Sequence, residues 1–184
     1  MNLMIAGVGG QGAVLITRLL GEAMAKADKE VLATESLGMA QRGGSVVSFL
    51  RIGEEGGPLP GEKSIDFLLA LELVEGLRNL KYLKPQGKAV LYGKIIYPPG
   101  LEKRDFSLAK LNLPENIKIF PEEKIEGIIK NPKTVNVFFL GILIKNTFPE
   151  LADSIIKTME KNLNPEKYAA NFQSFWQGYN YQEI

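Results

Sequence analysis

The chain has no cysteine and no histidine among its 184 residues. Without thiols it cannot form disulfides, bind a metal through sulfur or ligate an iron–sulfur cluster through cysteine. Without imidazole it loses the commonest general base and the commonest metal ligand together. Any chemistry done by this chain alone would rest on carboxylates, lysine, arginine, tyrosine or a bound cofactor. An excess of charge is lacking too. The 22 basic and 21 acidic residues leave a net charge of +1, so no global field draws the chain to nucleic acid or to an anionic membrane. Charge clusters such as Glu122-Glu123-Lys124 are short and mixed in sign, the pattern of a solvated face. Long apolar runs are also missing. The longest stretch, Val135 to Ile144, is interrupted by Asn136 and falls well short of the ~20 residues that span a bilayer. No basic segment precedes the apolar residues that begin at Leu3, so no secretory signal is expected. These absences together predict a cytoplasmic protein with neither nucleic-acid nor membrane partners.

What is present describes a globular α/β protein. Apolar residues make up 45% and charged residues 23%, and residues 1–184 are expected to form a single domain with a real core. Leu3-Met4-Ile5-Ala6 reads as a strand, followed by the glycine turn Gly7-Val8-Gly9-Gly10-Gln11-Gly12. From Gln11 to Ala27 the apolar positions Ala13, Ile16, Leu20, Ala23 and Ala27 share one helical face, and Arg18, Glu22 and Lys26 run at i, i+4 spacing on another. Further strands are predicted over 30–35, 45–52, 66–71, 89–92 and 117–120, and a glycine- and proline-rich loop over 53–61. A helix over 72–83 should stop at Pro85 and Gly87. Residues 95–114 read as a surface excursion, and three helices should close the chain at 135–147, 151–162 and 165–178. Asn164, Pro165 and Glu166 are good helix-start residues for the last of these. Strands alternating with helices point to a Rossmann-like layered domain with a mostly parallel sheet and a helical C-terminal third.

Strand, glycine turn and helix aim backbone N–H groups and a positive helix end at an anion. Gly7, Gly9 and Gly12 also satisfy the dinucleotide spacing, with Glu35 placed where a ribose-binding acid would be expected. A P-loop is excluded, because Ala13 and Val14 stand where Lys and Ser/Thr must be. A second glycine element, Gly38-Met39-Ala40-Gln41-Arg42-Gly43-Gly44, closes the next strand. Its adjacent glycines allow positive φ and close approach of a ligand or another chain, and Arg42 offers a planar fork for phosphate or carboxylate. The plain alternative is a tight turn carrying a surface arginine. Both glycine elements are expected to follow neighbouring strands at the C-terminal edge of a parallel sheet, where such sheets bind ligands.

Other residues have two readings each. Asn136, within an apolar helix, is expected to bond the backbone of its own domain rather than a ligand. Phe172, Phe175, Trp176 and Tyr179 form a helical stripe, usually core and sometimes interface. Glu72 and Glu75 suit the start of a helix.

The ordered set resembles a known family. Gly9-Gly10-Gln11-Gly12, then Gly38 with Arg42-Gly43-Gly44, Asp66, Glu72, Glu75, and Pro85-x-Gly87 are similar to the gamma subunit of ferredoxin-dependent 2-oxoacid oxidoreductases. Asn136-x-x-x-Leu140-Gly141 and Asn171-x-x-x-Phe175-x-x-Gly178 fit as well. The segment Glu35 to Gly44 resembles the branch that includes the beta subunit of indolepyruvate oxidoreductase. The resemblance implies a thiamine diphosphate-dependent enzyme that decarboxylates a 2-oxoacid, passes electrons through [4Fe-4S] clusters to ferredoxin and releases an acyl-CoA. It implies that thiamine-binding and iron–sulfur partner subunits hold those cofactors. This chain would bind none of them alone, carry no catalytic residue and be inactive in isolation. Gly9, Gly10, Gln11, Gly12, Arg42, Gly43 and Gly44 would then face the thiamine-bearing partner or the phosphate end of coenzyme A. The competing readings from the residues are a freestanding NAD(P)-dependent oxidoreductase that uses Gly7–Gly12 and Glu35, and a nucleotide-binding regulatory module with no catalysis.

Overall fold

A computed structural model describes residues 1–38, 43–53, 56–97 and 111–182. Arg42 therefore lies outside the described residues, as does most of the excursion expected over 95–114. The element order is β1 (Asn2–Val8), α1 (Ala13–Lys26), β2 (Val31–Leu37), β3 (Ser45–Ile52), β4 (Ile65–Ala70), α2 (Leu73–Asn79), β5 (Leu83–Tyr92), β6 (Ile117–Phe120), α3 (Glu122–Ile128), α4 (Val135–Thr147), α5 (Ala152–Asn162) and α6 (Pro165–Tyr179).

The six strands form one sheet in the order β2-β3-β1-β4-β5-β6. β1, β4, β5 and β6 run parallel to one another, whereas β3 is antiparallel to both β1 and β2. The expected α/β layering with its helical C-terminal third is present, and the sheet is mixed. The hairpin β2–β3 folds back so that β3, not β2, lies against β1. The two glycine elements thus do not follow neighbouring strands of a parallel sheet. They still share an edge, because the end of β2 and the start of β3 lie beside the end of β1 (Val8 pairs with Ser45).

β1 is buried along its whole length, as a central strand covered on both faces must be. Its odd-numbered residues Leu3 and Ile5 enter a core shared with α1, α4 and Phe175 of α6. Its even-numbered residues Met4 and Ala6 face a smaller core under α2, with Leu68, Ala70 and Leu91. α1 buries Ala13, Ile16, Leu20 and Ala23, as its spacing predicts, along with Thr17, Leu19 and Met24; Ala27, expected on the same face, is exposed because the helix stops at Lys26 and Ala27 is its C-cap. On its outer face the Arg18–Glu22 ion pair forms at 3.0 Å. α4 is apolar all round because it is enclosed by the sheet, α1 and α6; Val137 to Ile144 are buried without exception. Among the described residues no single helix is long and apolar enough to cross a membrane.

α4 and α6 touch backbone to backbone. A Cβ on Gly141 would lie 2.7 Å from the Tyr179 nitrogen and against the Phe175 oxygen. One on Gly178 would lie 2.7 Å from the Phe138 carbonyl carbon and against its oxygen. Phe175 of the aromatic stripe is fully buried, while Phe172 is 39% exposed.

The helix expected over 72–83 is shorter than its pattern suggests. α2 ends at Asn79, a 3-10 turn covers Leu80–Tyr82, and β5 starts at Leu83. Pro85 and Gly87 sit in a break of the β4–β5 register, between the pairs Ile65–Leu83 and Phe67–Lys88, a position where a strand tolerates proline.

Candidate functional site

The edge where β1, β4 and β5 end is built around the first glycine turn. Gly10 has φ 97° and Gly12 φ 88°, a left-handed conformation that side chains other than glycine rarely adopt. Gly12 is also the N-cap of α1, and a Cβ there would collide with the Asn136 amide. The Gln11 amide closes the turn: its Oε1 accepts from Val8 N–H at 2.9 Å, and its Nε2 donates to the Leu71 carbonyl at 2.7 Å. Gln11 therefore joins the end of β1 to the end of β4. No side chain caps α1, and Ile16 N–H is bonded back to Gly12. The positive end of a 14-residue helix is thus presented at the edge.

The second glycine element meets the first. Gly9 N–H donates to the Gly44 carbonyl at 2.9 Å, and Gly43 has φ 73°. Gly9, Gly10, Gln11, Gly12, Gly43 and Gly44 are therefore brought together, while the placement of Arg42 lies outside the described residues. Ser45, next to Gly44, donates its hydroxyl to Glu75 at 2.7 Å. Glu75 also pairs with Arg78 at 2.8 Å. Glu72 caps α2 by accepting from Glu75 N–H at 2.7 Å, and accepts from Ile96 N–H at 3.2 Å. Burial raises the Glu72 carboxyl above its ordinary value. The Glu75 charge adds to this, and the backbone bonds from Glu75 and Ile96 oppose it. Both carboxylates thus brace the edge, as their helix-start positions suggested.

Glu35 does not sit where a ribose-binding acid belongs. In a dinucleotide site the second strand lies beside the first. Here β3 intervenes, and Glu35 pairs with Ser48 on the outer strand. This weighs against the NAD(P) reading.

Behind the glycine turn lies a cavity of about 210 Å³, whose polar lining includes Gln11, Tyr92, Lys94, Glu126, Lys133 and Asn136. Sequence reasoning missed it, because these groups come from segments far apart in the chain. The nearest signal was Tyr92, a polar-tipped residue at the C-terminal end of a parallel strand. The expected bond from Asn136 to its own domain's backbone is absent. The side chain is largely buried and its amide packs against Gly12 at the edge of the cavity, whereas the buried side-chain polar atoms without a partner among the described residues are Ser48 Oγ and the Tyr181 hydroxyl. Tyr92 is buried and lines the same cavity. Burial, and then the charges of Glu122, Glu126 and Glu123, push the Tyr92 hydroxyl far above its usual range, so it stays protonated at any physiological pH. Lys94 is held by Glu122 at 2.5 Å and lies 3.9 Å from Glu126.

The family description "Pyruvate ferredoxin/flavodoxin oxidoreductase" matches residues 2–181. The chain belongs to this family. Its relatives include the indolepyruvate oxidoreductase subunit IorB of Methanothermobacter thermautotrophicus, 31% identical over 187 residues, covering 97% of this chain and 95% of that one. Among solved structures, the pyruvate oxidoreductase subunit PORC of Thermotoga maritima superposes with a TM-score of 0.71 at 24% identity, over 97% of this chain and 94% of that one. A 2-oxoglutarate:ferredoxin oxidoreductase chain from Magnetococcus marinus gives 0.69 at 21% identity, over 97% of this chain but 30% of that longer one. The family fold therefore occurs both as a separate chain and as part of a larger one.

Proposed function

We propose that this chain is the cluster-free subunit of a 2-oxoacid:ferredoxin oxidoreductase and that it completes the active-site assembly with partner chains. The reaction is oxidative decarboxylation of a 2-oxoacid to an acyl-CoA. Thiamine diphosphate supplies the decarboxylation chemistry, and [4Fe-4S] clusters carry the electrons to ferredoxin. Both belong to the partners, since a chain without cysteine offers no thiolate for a cluster.

The observation that carries the reading is the Gly9–Gly44 hydrogen bond in a member of this family. It joins two glycine loops and an uncapped helix end into one donor-rich edge. That arrangement suits the phosphate end of coenzyme A or the thiamine-bearing partner. Gly9, Gly10, Gly12, Gly43 and Gly44 would line the contact, Gln11 would hold its shape, and Arg42 would clamp an anionic group from the adjoining loop. The indolepyruvate oxidoreductase relative, itself named as a subunit, supports the assembly role. The long Magnetococcus marinus chain supports it too, since there the same fold is covalently part of the enzyme.

The test is reconstitution. The chain alone should show no oxoacid-dependent reduction of ferredoxin or of an artificial acceptor. Combined with thiamine-binding and cluster-bearing partners it should complete an active complex, and its omission should abolish turnover. Turnover by the isolated chain, or full activity of the complex without it, would overturn the reading.

A further inference from the structure

We propose that the outer edge of β2 pairs with β2 of a second copy of this chain, joining the two sheets into one across a two-fold axis at Thr34. The proposal concerns the far side of β2 and does not depend on the reading of the glycine edge.

The two edges of the sheet are built differently. β6 is four residues long, carries Lys118 and lies between Pro114 and Pro121. Short length, lysine and flanking proline keep an edge strand from pairing. β2 has none of these. It runs for seven residues, Val31 to Leu37, without proline, lysine or arginine, and its register with β3 is unbroken by a bulge. No strand lies on its outer side among the described residues. Leu32 is 44% exposed and Leu37 63%, whereas β1, two strands further in, is buried throughout.

The ladder with β3 shows which backbone groups are open. The Glu30 carbonyl accepts from Gly53 N–H at 3.0 Å, and Gly38 N–H donates to the Ser45 carbonyl at 2.7 Å. In an antiparallel pair alternate residues bond the same neighbour, so Leu32, Thr34 and Ser36 are turned toward β3. Val31, Ala33, Glu35 and Leu37 present their N–H and C=O groups to the open side.

That open side is complementary to itself. Rotating a copy about an axis through Thr34 sets Val31 of each chain opposite Leu37 of the other, and Ala33 opposite Glu35. All four outward residues then exchange both of their backbone bonds. Thr34 meets Thr34 at the axis, and Leu37 gains an apolar neighbour, both favourable cross-strand pairs. Glu35, the one ionisable residue of β2, faces alanine. A shift of one pair in one direction would oppose Glu35 to Glu35, and in the other would leave Leu37 beyond the end of the facing strand. Charge and length together therefore select a single closed, isologous contact.

The test is sedimentation velocity on the full chain over a range of concentrations. A species of twice 20.3 kDa should grow in with concentration. Ala33→Pro removes an outward N–H and spares the bonds to β3. It should weaken the dimer at least tenfold, with an unchanged circular dichroism spectrum. Leu37→Lys adds the charge that guards other edges and should act in the same direction, so the proposal does not hang on tolerance of a proline. The chain has no cysteine, so single cysteines report the register. Thr34→Cys should form a disulfide-linked dimer under mild oxidation, because the non-bonded pair at the axis brings the two Cα atoms to about 4.5 Å. Ser36→Cys, which would face Leu32, should not. A wild-type chain that stays monomeric at every concentration overturns the proposal. A dimer indifferent to both Ala33→Pro and Leu37→Lys overturns it as well, as does cross-linking of Ser36→Cys in place of Thr34→Cys. A monomer whose assembly with partner subunits is lost in Ala33→Pro assigns the edge to a strand of those partners and rejects the second copy.

Discussion

Replacing Gly178 by alanine tests whether the α4–α6 contact sets stability. In the interior of a helix, Gly→Ala ordinarily stabilises by about 1 kcal/mol. Here the new methyl would meet backbone: the Phe138 carbonyl carbon at 2.7 Å and its oxygen closer still. Backbone cannot rotate away as a side chain can, so the two helices must part. Phe138 and Phe175 are fully buried in the core these helices share, and separation disturbs their packing. Overpacking of this kind costs about 3 kcal/mol at the upper end of its usual range, which after the propensity gain leaves a net loss of ~2 kcal/mol. For a domain of this size that is a fall in Tm of roughly 4–8 °C. Gly21→Ala in α1 is the matched control. Nothing lies within 4 Å of its Cβ, so only the propensity term remains, and Tm should rise by ~2–4 °C. Thermal melts followed by circular dichroism decide the sign for each. A Gly178→Ala chain that melts at or above wild type would refute the argument that backbone contact governs this interface.

Two further outcomes are expected. The folded state holds the Glu72 proton more tightly than the unfolded chain, whose ordinary value is 4.5. Its stabilising contribution is therefore complete below about pH 4.5 and is lost as pH rises through the raised value. Urea midpoints of Glu72→Gln measured upward from pH 4.5 should fall less steeply than those of wild type, and parallel curves would exclude Glu72 as the titrating group. Arg42→Ala should shift the stability of the isolated chain by no more than about 0.5 kcal/mol while weakening the assembled complex by roughly 2–5 kcal/mol. Arg42→Lys should recover only part of that loss, and wild-type assembly and ferredoxin reduction in Arg42→Ala would reduce the loop to a turn.

Much of the fold was readable because it depends on local signals. The apolar runs of β1 and β4 mark buried strands, and Asn164-Pro165 marks the start of α6, where the Asn164 side chain accepts from Lys167 N–H at 2.9 Å. The order of the strands was not readable. That β3 slips between β1 and β2 depends on which edges meet in space, and the sequence of a half-buried strand looks the same in either place. α3 escaped notice because a seven-residue helix with three glutamates shows little period; only Ile125 is fully buried. The glycine elements were legible because few other roles suit glycine at those spacings. Asn136 was legible as an oddity, but the direction of its amide depends on Gly12, more than a hundred residues away.

The position of β1 has a consequence for synthesis. Its neighbours in the sheet, β3 and β4, both come later in the chain, and β4 ends at Ala70. At 5–20 residues per second, the ~60 residues between the end of β1 and the end of β4 take roughly 3–12 s to add. For that interval a strand destined to be wholly buried has no complete place to go. The hairpin of β2 and β3 can form as soon as it emerges, and it can cover one edge of β1 while the other waits. The antiparallel insertion would thus act as a temporary shield on the nascent chain, and ribosome-bound chains that end before β3 should be the ones most prone to aggregate.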